Sequence, residues 1–284
     1  MLIEKNGHKK VKGCVKNGLI NCSYKRLNIN GLLIEEFIAL LPLIYYSEVK
    51  KFVLTSDKNY KKSDFIIKKN IVKTRQGVNF LLSTIDAGIL WETYIAKIHH
   101  YSKLKDKTVL DVGAAFGDTA LWFAKQGCKK IFAVEPLSNN YKALMANLKL
   151  NNSKKNKVKC IKAAVGIDGN VTLTYTNSPG IFGGASAYKK AGKMNELVQS
   201  FSISHLLDKL NLNEVDILKM DCKGGEVYIT AEDLKRITTH IQIELFDLNS
   251  ATTKKLINLI GNSGFNYYTT KNNMLYAERK SSIT

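Results

Sequence analysis

Residues 108–136 constrain the fold more than any other stretch of the chain. Thr108–Val112 is a short apolar run, Leu121–Lys125 opens a helical pattern, and the loop between them carries Gly113 and Gly117. A second apolar run, Ile131–Val134, ends on Glu135. Strand, glycine loop, helix, strand and acid, in that order, form the first half of a nucleotide-binding α/β unit. The glycines let the backbone approach a ligand, and the helix start offers unpaired N–H groups. An acid at the tip of the second strand is placed to take both hydroxyls of a ribose.

The loop itself narrows the nucleoside. Asp111, Gly113 and Gly117 spell Asp-x-Gly-x-x-x-Gly, with a carboxylate where a dinucleotide-binding loop has its first glycine. A carboxylate there repels a pyrophosphate and can hold a cationic amino group. S-adenosylmethionine, with an ammonium, a sulfonium and a ribose but no phosphate, is the ligand that suits this pattern. The expected cofactor contacts are Asp111, Gly113, Ala114, Gly117, Asp118 and Thr119 along the loop and helix start, then Glu135 and Pro136. Ala163 and Ala164 join them, because small residues ending a third strand over 158–165 suit an adenine.

Composition bounds the rest. A chain of 284 residues can bury a sizeable core, as one large domain or a domain with an extension. The longest apolar stretch, 31–46, is interrupted by Glu35, Glu36 and Pro42 and is too short and charged to span a membrane. The first residues run into basic positions without the apolar core of a signal peptide. Five scattered cysteines, an odd number, suggest reduced thiols and a cytoplasmic location. Cys14, Cys22 and His8 match no zinc spacing, so no metal is expected. The net charge of +19 invites a nucleic-acid reading, but 39 of the 43 basic residues are lysine. Arginine's bidentate fork is the usual choice for phosphate recognition, and these lysines are spread along the whole chain. RNA stays open as an acceptor without being established.

Taken in order, residues 1–30 read only as a hairpin or a loose arm, and 31–46 as a helix. From 48 to 82 the pattern becomes short alternating runs with basic outward positions, which predict antiparallel strands. Residues 1–87 are therefore expected to form an N-terminal α+β extension or cap, and 88–284 the cofactor-binding domain. A helix is expected over 88–103, with Trp91 in a core and Glu92 and Tyr94 as lid or cofactor contacts. Further expectations are helices over 138–150, 204–210, 227–236 and 250–260, and strands over 158–165, 215–220, 240–246, 265–269 and 274–278. Residues 166–177 read as a hairpin turning at Asp168-Gly169-Asn170, and the glycine-rich stretch 178–193 as a functional loop. His205 reads as a surface or capping residue. The predicted fold is a seven-stranded, mostly parallel sheet with helices on both faces and the last strand returning antiparallel.

A second informative run is Lys219-Met-Asp221-Cys-Lys-Gly224-Gly225-Glu226. Doubly wound sheets bind ligands at the carboxyl ends of their strands, beside the point where strand order reverses. Asp221 falls at such an end, and Glu226 in the first helical turn beyond it. Two carboxylates there could orient an acceptor hydroxyl or take its proton, so Asp221 and Glu226 are the catalytic candidates, with Asp221 also beside the cofactor.

Asp111-Val-Gly-Ala-x-x-Gly-Asp, Glu135-Pro136 and Lys219-x-Asp221 together resemble the FkbM family of class I methyltransferases over roughly residues 88–280. The family shows an acid-x-acid-Gly-x-acid run at the second site. Asp221, Gly224 and Glu226 match it, whereas Lys223 stands in place of the middle acid. Phe246 replaces the histidine of a common Ile-Glu-Ile-His strand end. The resemblance implies a Rossmann-like methyltransferase fold and S-adenosylmethionine as methyl donor. The implied acceptor is a hydroxyl, most often of a sugar or other small molecule. RNA methylation is the alternative, and a cofactor-binding protein without catalysis is the third reading. Oligomeric state is open.

Overall fold

Short apolar runs alternating with lysines recur in the first third of the chain, and those among the described residues form strands. The computed structural model describes residues 2–5, 8–16, 19–24, 27–33, 52–55, 65–68, 70–99, 101–152, 157–175 and 194–281. Two compact units result, Met1–Ile98 and His99–Thr284.

In the first unit, β1 (Leu2–Lys5), β2 (His8–Lys16), β3 (Leu19–Tyr24), β4 (Leu27–Leu33), β5 (Phe52–Thr55), β6 (Phe65–Lys68), β7 (Ile71–Thr74) and β8 (Asn79–Leu81) build one eight-stranded sheet in chain order. Neighbours are antiparallel except for β4–β5 and β5–β6, which are parallel. The expected strands over 48–82 are present. The stretch 1–30, read as hairpin or arm, supplies four strands of a sheet larger than the small antiparallel cap expected. The helix expected over 31–46 begins inside β4 and otherwise lies outside the described residues. Phe65, Ile67, Val72, Val78 and Phe80 are buried, and Phe80 meets the ring of Tyr94 edge-on at 5.8 Å.

The helix expected over 88–103 is shorter. Asp86 caps α1 (Ala87–Trp91) by accepting from the N–H groups of Gly88 and Ile89 at 2.7 and 3.2 Å. The helix widens into a π-turn over Glu92–Ala96 and stops where Lys97 turns left-handed, at φ 53°. No glycine or proline marks that stop. Trp91 is buried, as its apolar setting predicted.

The second unit begins with β9 (Thr108–Val112), α2 (Asp118–Lys125), β10 (Lys130–Val134), α3 (Ser138–Leu150) and β11 (Val158–Ile161). After β12 (Ala164–Val165), β13 (Gly169–Tyr175) and β14 (Met194–Phe201) come α4 (Ile203–Lys209), β15 (Val215–Met220), α5 (Ala231–Lys235), β16 (Ile237–Glu244), α6 (Ala251–Asn262), β17 (Phe265–Thr269) and β18 (Met274–Arg279). Seven of these strands form a sheet in the order β11-β10-β9-β15-β16-β18-β17, with β18 the antiparallel member. Strands β9, β10 and β15 are almost continuously buried, the pattern of parallel strands covered on both faces. The chain winds outward from β9 to β11, then returns to the other side of β9. Right-handed crossovers therefore place the two sets of helices on opposite faces. Order reverses between β9 and β15, so the ligand crevice belongs at their carboxyl ends. Leu110, Val112, Leu218, Met220, Ile241, Ile243, Leu256, Ile260 and Leu275 belong to the core around that junction.

Three expectations change here. The strand over 158–165 splits at Lys162-Ala163, because Ala164 and Val165 pair with Ser200 and Phe201 of β14 in a separate three-stranded sheet, β12-β14-β13. The hairpin at Asp168-Gly169-Asn170 does not form. Asp168 instead accepts from Ser202 N at 2.8 Å and pairs with His205 Nδ1 at 2.9 Å, which ties it to the start of α4, and β13 finds its partner in β14. The helix over 227–236 is a 3₁₀ turn, Gly225–Tyr228, followed by α5 behind a Thr230/Asp233 capping box. The glycine-rich stretch 178–193 lies outside the described residues.

Gly113 tests the junction. At φ +75° it is left-handed, and a β-carbon there would lie 1.9 Å from the carbonyl oxygen of Asp221. Gly264, at φ +89°, would meet nothing nearer than Arg279 Nη1 at 3.7 Å. Gly264→Ala should cost about 1–2 kcal/mol, the price of the left-handed conformation alone. Gly113→Ala should cost several kcal/mol more or prevent folding. Urea unfolding midpoints measure the difference, and equal midpoints would contradict the close approach.

Candidate functional site

Asp111, the fourth residue of β9, is wholly buried. Thr119 Oγ1, on the first turn of α2, donates to its Oδ2 at 2.7 Å. The Lys219 ammonium, from the neighbouring β15, lies 3.2 Å from Oδ1, which makes no hydrogen bond among the described residues. Lys219 also donates to the carbonyl of Gly113 at 2.9 Å and sits near that of Val112 at 3.4 Å. Burial works against its charge, but the carboxylates of Asp111, Asp221 and Asp118 outweigh that and hold it above the ordinary lysine range. Asp111 thus already faces a resident cation, which its position in the sequence did not disclose.

The loop folds back on the next strand. Gly113 N and Ala114 N both donate to Val134 O, at 2.9 and 3.1 Å, and Gly117 N donates to Ala114 O at 2.7 Å. Gly117 then caps α2 in a left-handed conformation, at φ 90°, and Asp118 is buried in the first helical turn, where negative charge is favoured. Asn147 Nδ2 of α3 holds the loop from below through Phe116 O at 2.9 Å.

Glu135 ends β10 and is buried. Ala115 N donates to its Oε2 at 2.9 Å, while Leu137 N and Asn140 Nδ2 donate to Oε1 at 3.0 and 3.2 Å. Burial nevertheless raises its pKa from 4.5 to about 7, against those three bonds and the charge of Lys219. Pro136 is half-buried, and Ala163 and Ala164 are buried where the chain leaves β11 for β12. Beside them Lys162 Nζ donates to Ser138 Oγ at 2.7 Å and pairs with Glu196 at 3.2 Å.

Asp221 follows β15 directly, and its N–H donates to Val112 O at 3.0 Å. Its side chain is 38% exposed. Glu226 is not beside it as a second open acid. It is fully buried, its Oε2 accepting from Gly224 N at 2.6 Å and its Oε1 from Phe246 N at 3.0 Å. This carboxylate joins the turn after β15 to the end of β16 and has no surface left for an acceptor. The carboxylate that does meet Asp221 is Glu244, the last residue of β16. Lys223 bridges the two, with its Nζ 3.1 Å from Asp221 Oδ1 and 2.5 Å from Glu244 Oε1. Burial raises the pKa of Asp221, but Lys223 and then Lys219 outweigh it and leave Asp221 below the ordinary carboxylate range. Burial and then the charge of Asp221 push Glu244 up, against Lys223. Sequence reasoning gave Glu244 no role; its place at a strand end was the available signal.

The sheet order, the switch-point crevice and the acidic glycine loop define a class I methyltransferase fold. A methyltransferase FkbM domain matches residues 111–267. The chain belongs to the FkbM methyltransferase family. No curated protein matches it. Among solved structures it is similar to precorrin-6y C5,15-methyltransferase from Geobacter metallireducens GS-15, at 15% identity over 71% of this chain and 93% of that one, with a TM-score of 0.42. It is also similar to a methyltransferase FkbM from Methylobacillus flagellatus KT, at 15% identity over 65% of this chain and 46% of that one, TM-score 0.43. A third is fibrillarin from Aeropyrum pernix in complex with natively bound S-adenosyl-L-methionine, at 13% identity over 61% and 66%, TM-score 0.37. Among the described residues no helix is long and apolar enough to cross a membrane.

The residues fit the family's cofactor. Asp111 supplies the negative charge an ammonium needs, with its Oδ1 already facing Lys219 at 3.2 Å, and Glu135, with three donors, keeps one acceptor position for a hydroxyl. Glu135 also carries a pH signature. Its folded-state pKa is raised, so its favourable contribution to folding is complete below pH 4.5 and disappears as pH rises through about 7. That span is worth on the order of 3 kcal/mol. Denaturant unfolding without cofactor, at intervals from pH 5 to 8, should show stability falling across this window and a flatter curve for Glu135→Gln. Parallel curves would remove Glu135 as the cause.

Proposed function

We propose that the protein transfers a methyl group from S-adenosylmethionine to an oxygen of a hydroxyl-bearing acceptor, a sugar, glycan or other small molecule. The observation that carries this reading is Asp221, an ionised, part-exposed carboxylate at the carboxyl end of β15. Its backbone carbonyl lies directly against Gly113 of the glycine loop.

The bound donor supplies a methyl group already activated by a sulfonium, so orientation of the acceptor provides much of the rate. The methionine end of the donor is assigned to Asp111, Gly113, Ala114, Gly117, Asp118 and Thr119. The ribose is assigned to Glu135 and Pro136, and the adenine to Ala163 and Ala164. Asp111 and Lys219 act there as one unit, the lysine fixing the carboxylate that takes the donor's amino group. Asp221 accepts the proton that leaves the acceptor oxygen and releases it to water. Glu226 shapes the turn that presents Asp221. The N-terminal region, residues 1–87, and the stretch 178–193 are assigned to acceptor selection.

Net charge of +19 supports a second reading, methylation of tRNA or rRNA held by the basic surface. Binding to bulk tRNA that weakens steeply with salt would favour it, and salt-insensitive or absent binding would favour the small-molecule acceptor.

Calorimetry with S-adenosylhomocysteine tests the donor. Asp111→Ala should weaken binding at least tenfold, and Asp221→Asn should change it less than about threefold while lowering methyl transfer at least a hundredfold, the range of general-base loss. Equal loss of binding in both variants would contradict the division of roles.

A further inference from the structure

We propose that Lys223 is a positioning residue: its ammonium bridges Asp221 and Glu244 across the ends of two adjacent strands and holds them together as the proton-accepting face of the acceptor site. The inference rests on the methyl-transfer reading and deepens it.

The geometry starts in the sheet. β15 and β16 are parallel neighbours with Met220 opposite Ile243, so the next residues, Asp221 and Glu244, arrive side by side at the carboxyl edge. Two carboxylates in that position repel each other unless a cation or a shared proton intervenes. Lys223 is that cation, 3.1 Å from one and 2.5 Å from the other. Its backbone departs from ordinary geometry to get there. Lys223 is left-handed, at φ 50°, and Gly224 follows at φ 123°, reversing the chain so that the lysine side chain returns over the strand it has just left.

The other charged and titratable groups nearby are committed elsewhere. Lys219 lies on the buried side, on Asp111 and the loop carbonyls. Glu226 holds the N–H groups of Gly224 and Phe246. The Cys222 thiol is pushed far above its ordinary range by burial, then by Glu226 and Asp221, and stays neutral. Asp118 is buried in the first turn of α2.

The side chains of Lys223, Asp221 and Glu244 are 29, 38 and 35% exposed, a surface that an acceptor can reach. Where the family pattern has a middle acid, a third carboxylate would add to the repulsion between these two. The lysine cancels part of it. When the acceptor hydroxyl's proton passes to Asp221, that carboxylate becomes neutral and Lys223 remains paired with Glu244.

Carboxyl titration by carbon-13 NMR reads this directly in full-length protein labelled at the Asp and Glu side-chain carboxyls, with Asp221→Asn and Glu244→Gln providing the assignments. Lys223→Met should raise the Asp221 midpoint by at least one pH unit, and Lys223→Arg should restore it to within about 0.3. Lys223→Gln serves as the neutral variant if Lys223→Met does not fold. Affinity for S-adenosylhomocysteine should stay within about threefold of wild type in every Lys223 variant. An Asp221 midpoint unchanged in a folded neutral variant would overturn the proposal, as would failure of the arginine variant to restore it. Failure of the wild-type protein to bind S-adenosylhomocysteine would overturn the methyl-transfer reading instead, because the titration needs no cofactor.

Discussion

The carboxyl edge of the large sheet depends on the ion pair between Asp111 and Lys219. The two residues stand opposite each other on β9 and β15, both almost completely removed from water. A buried charge without its partner costs several kcal/mol, so a change at either residue alone weakens the fold as well as the site. Lys219 also reaches the carbonyl of Gly113, tying the start of the loop to the strand that delivers Asp221. Gly113 has no β-carbon to prevent the Asp221 carbonyl from closing against it. One electrostatic contact and one missing side chain thereby bring the glycine loop and the backbone of Asp221 to the same place.

Three acids around this junction show how environment divides one chemical group into different tasks. Glu226 is fully buried and consumed by the N–H groups of Gly224 and Phe246, so it holds two strand ends together. Glu135 is buried with three donors, and its burial leaves it poised near neutrality. Asp221 is part-exposed, flanked by Lys223 and Lys219, and stays ionised. Among the three, it alone combines charge with access.

Much of this architecture was legible because it is local. Helix α3 runs from Ser138 to Leu150 as its apolar spacing at Leu144 and Leu148 predicted, and the β9 and β10 strands follow apolar runs bounded by charge and glycine. Elements defined by their partners were harder to read. The run 158–165 is apolar whichever strand it pairs with, so its division between β11 and β12 had no sequence signature. β14 was missed because Leu197 is exposed while Val198 is buried, which blurs any period of two. Asp168-Gly169-Asn170 has the composition of a turn, yet Asp168 is drawn away to the start of α4 by Ser202 and His205.

The sequence by itself determined the strand–loop–helix–strand unit that begins at Thr108 and the methyltransferase family it belongs to. Asp111, Gly113, Gly117 and Glu135 lie within one strand–loop–helix–strand unit, where spacing alone sets their geometry. Tertiary structure decided which carboxylates are available for chemistry. Asp221 and Glu226 are close in sequence, yet one opens to solvent and the other disappears into backbone hydrogen bonds. Lys223 and Glu244 are separated by a turn, a helix and a strand, and they meet only because the register of β15 against β16 aligns the two strand ends.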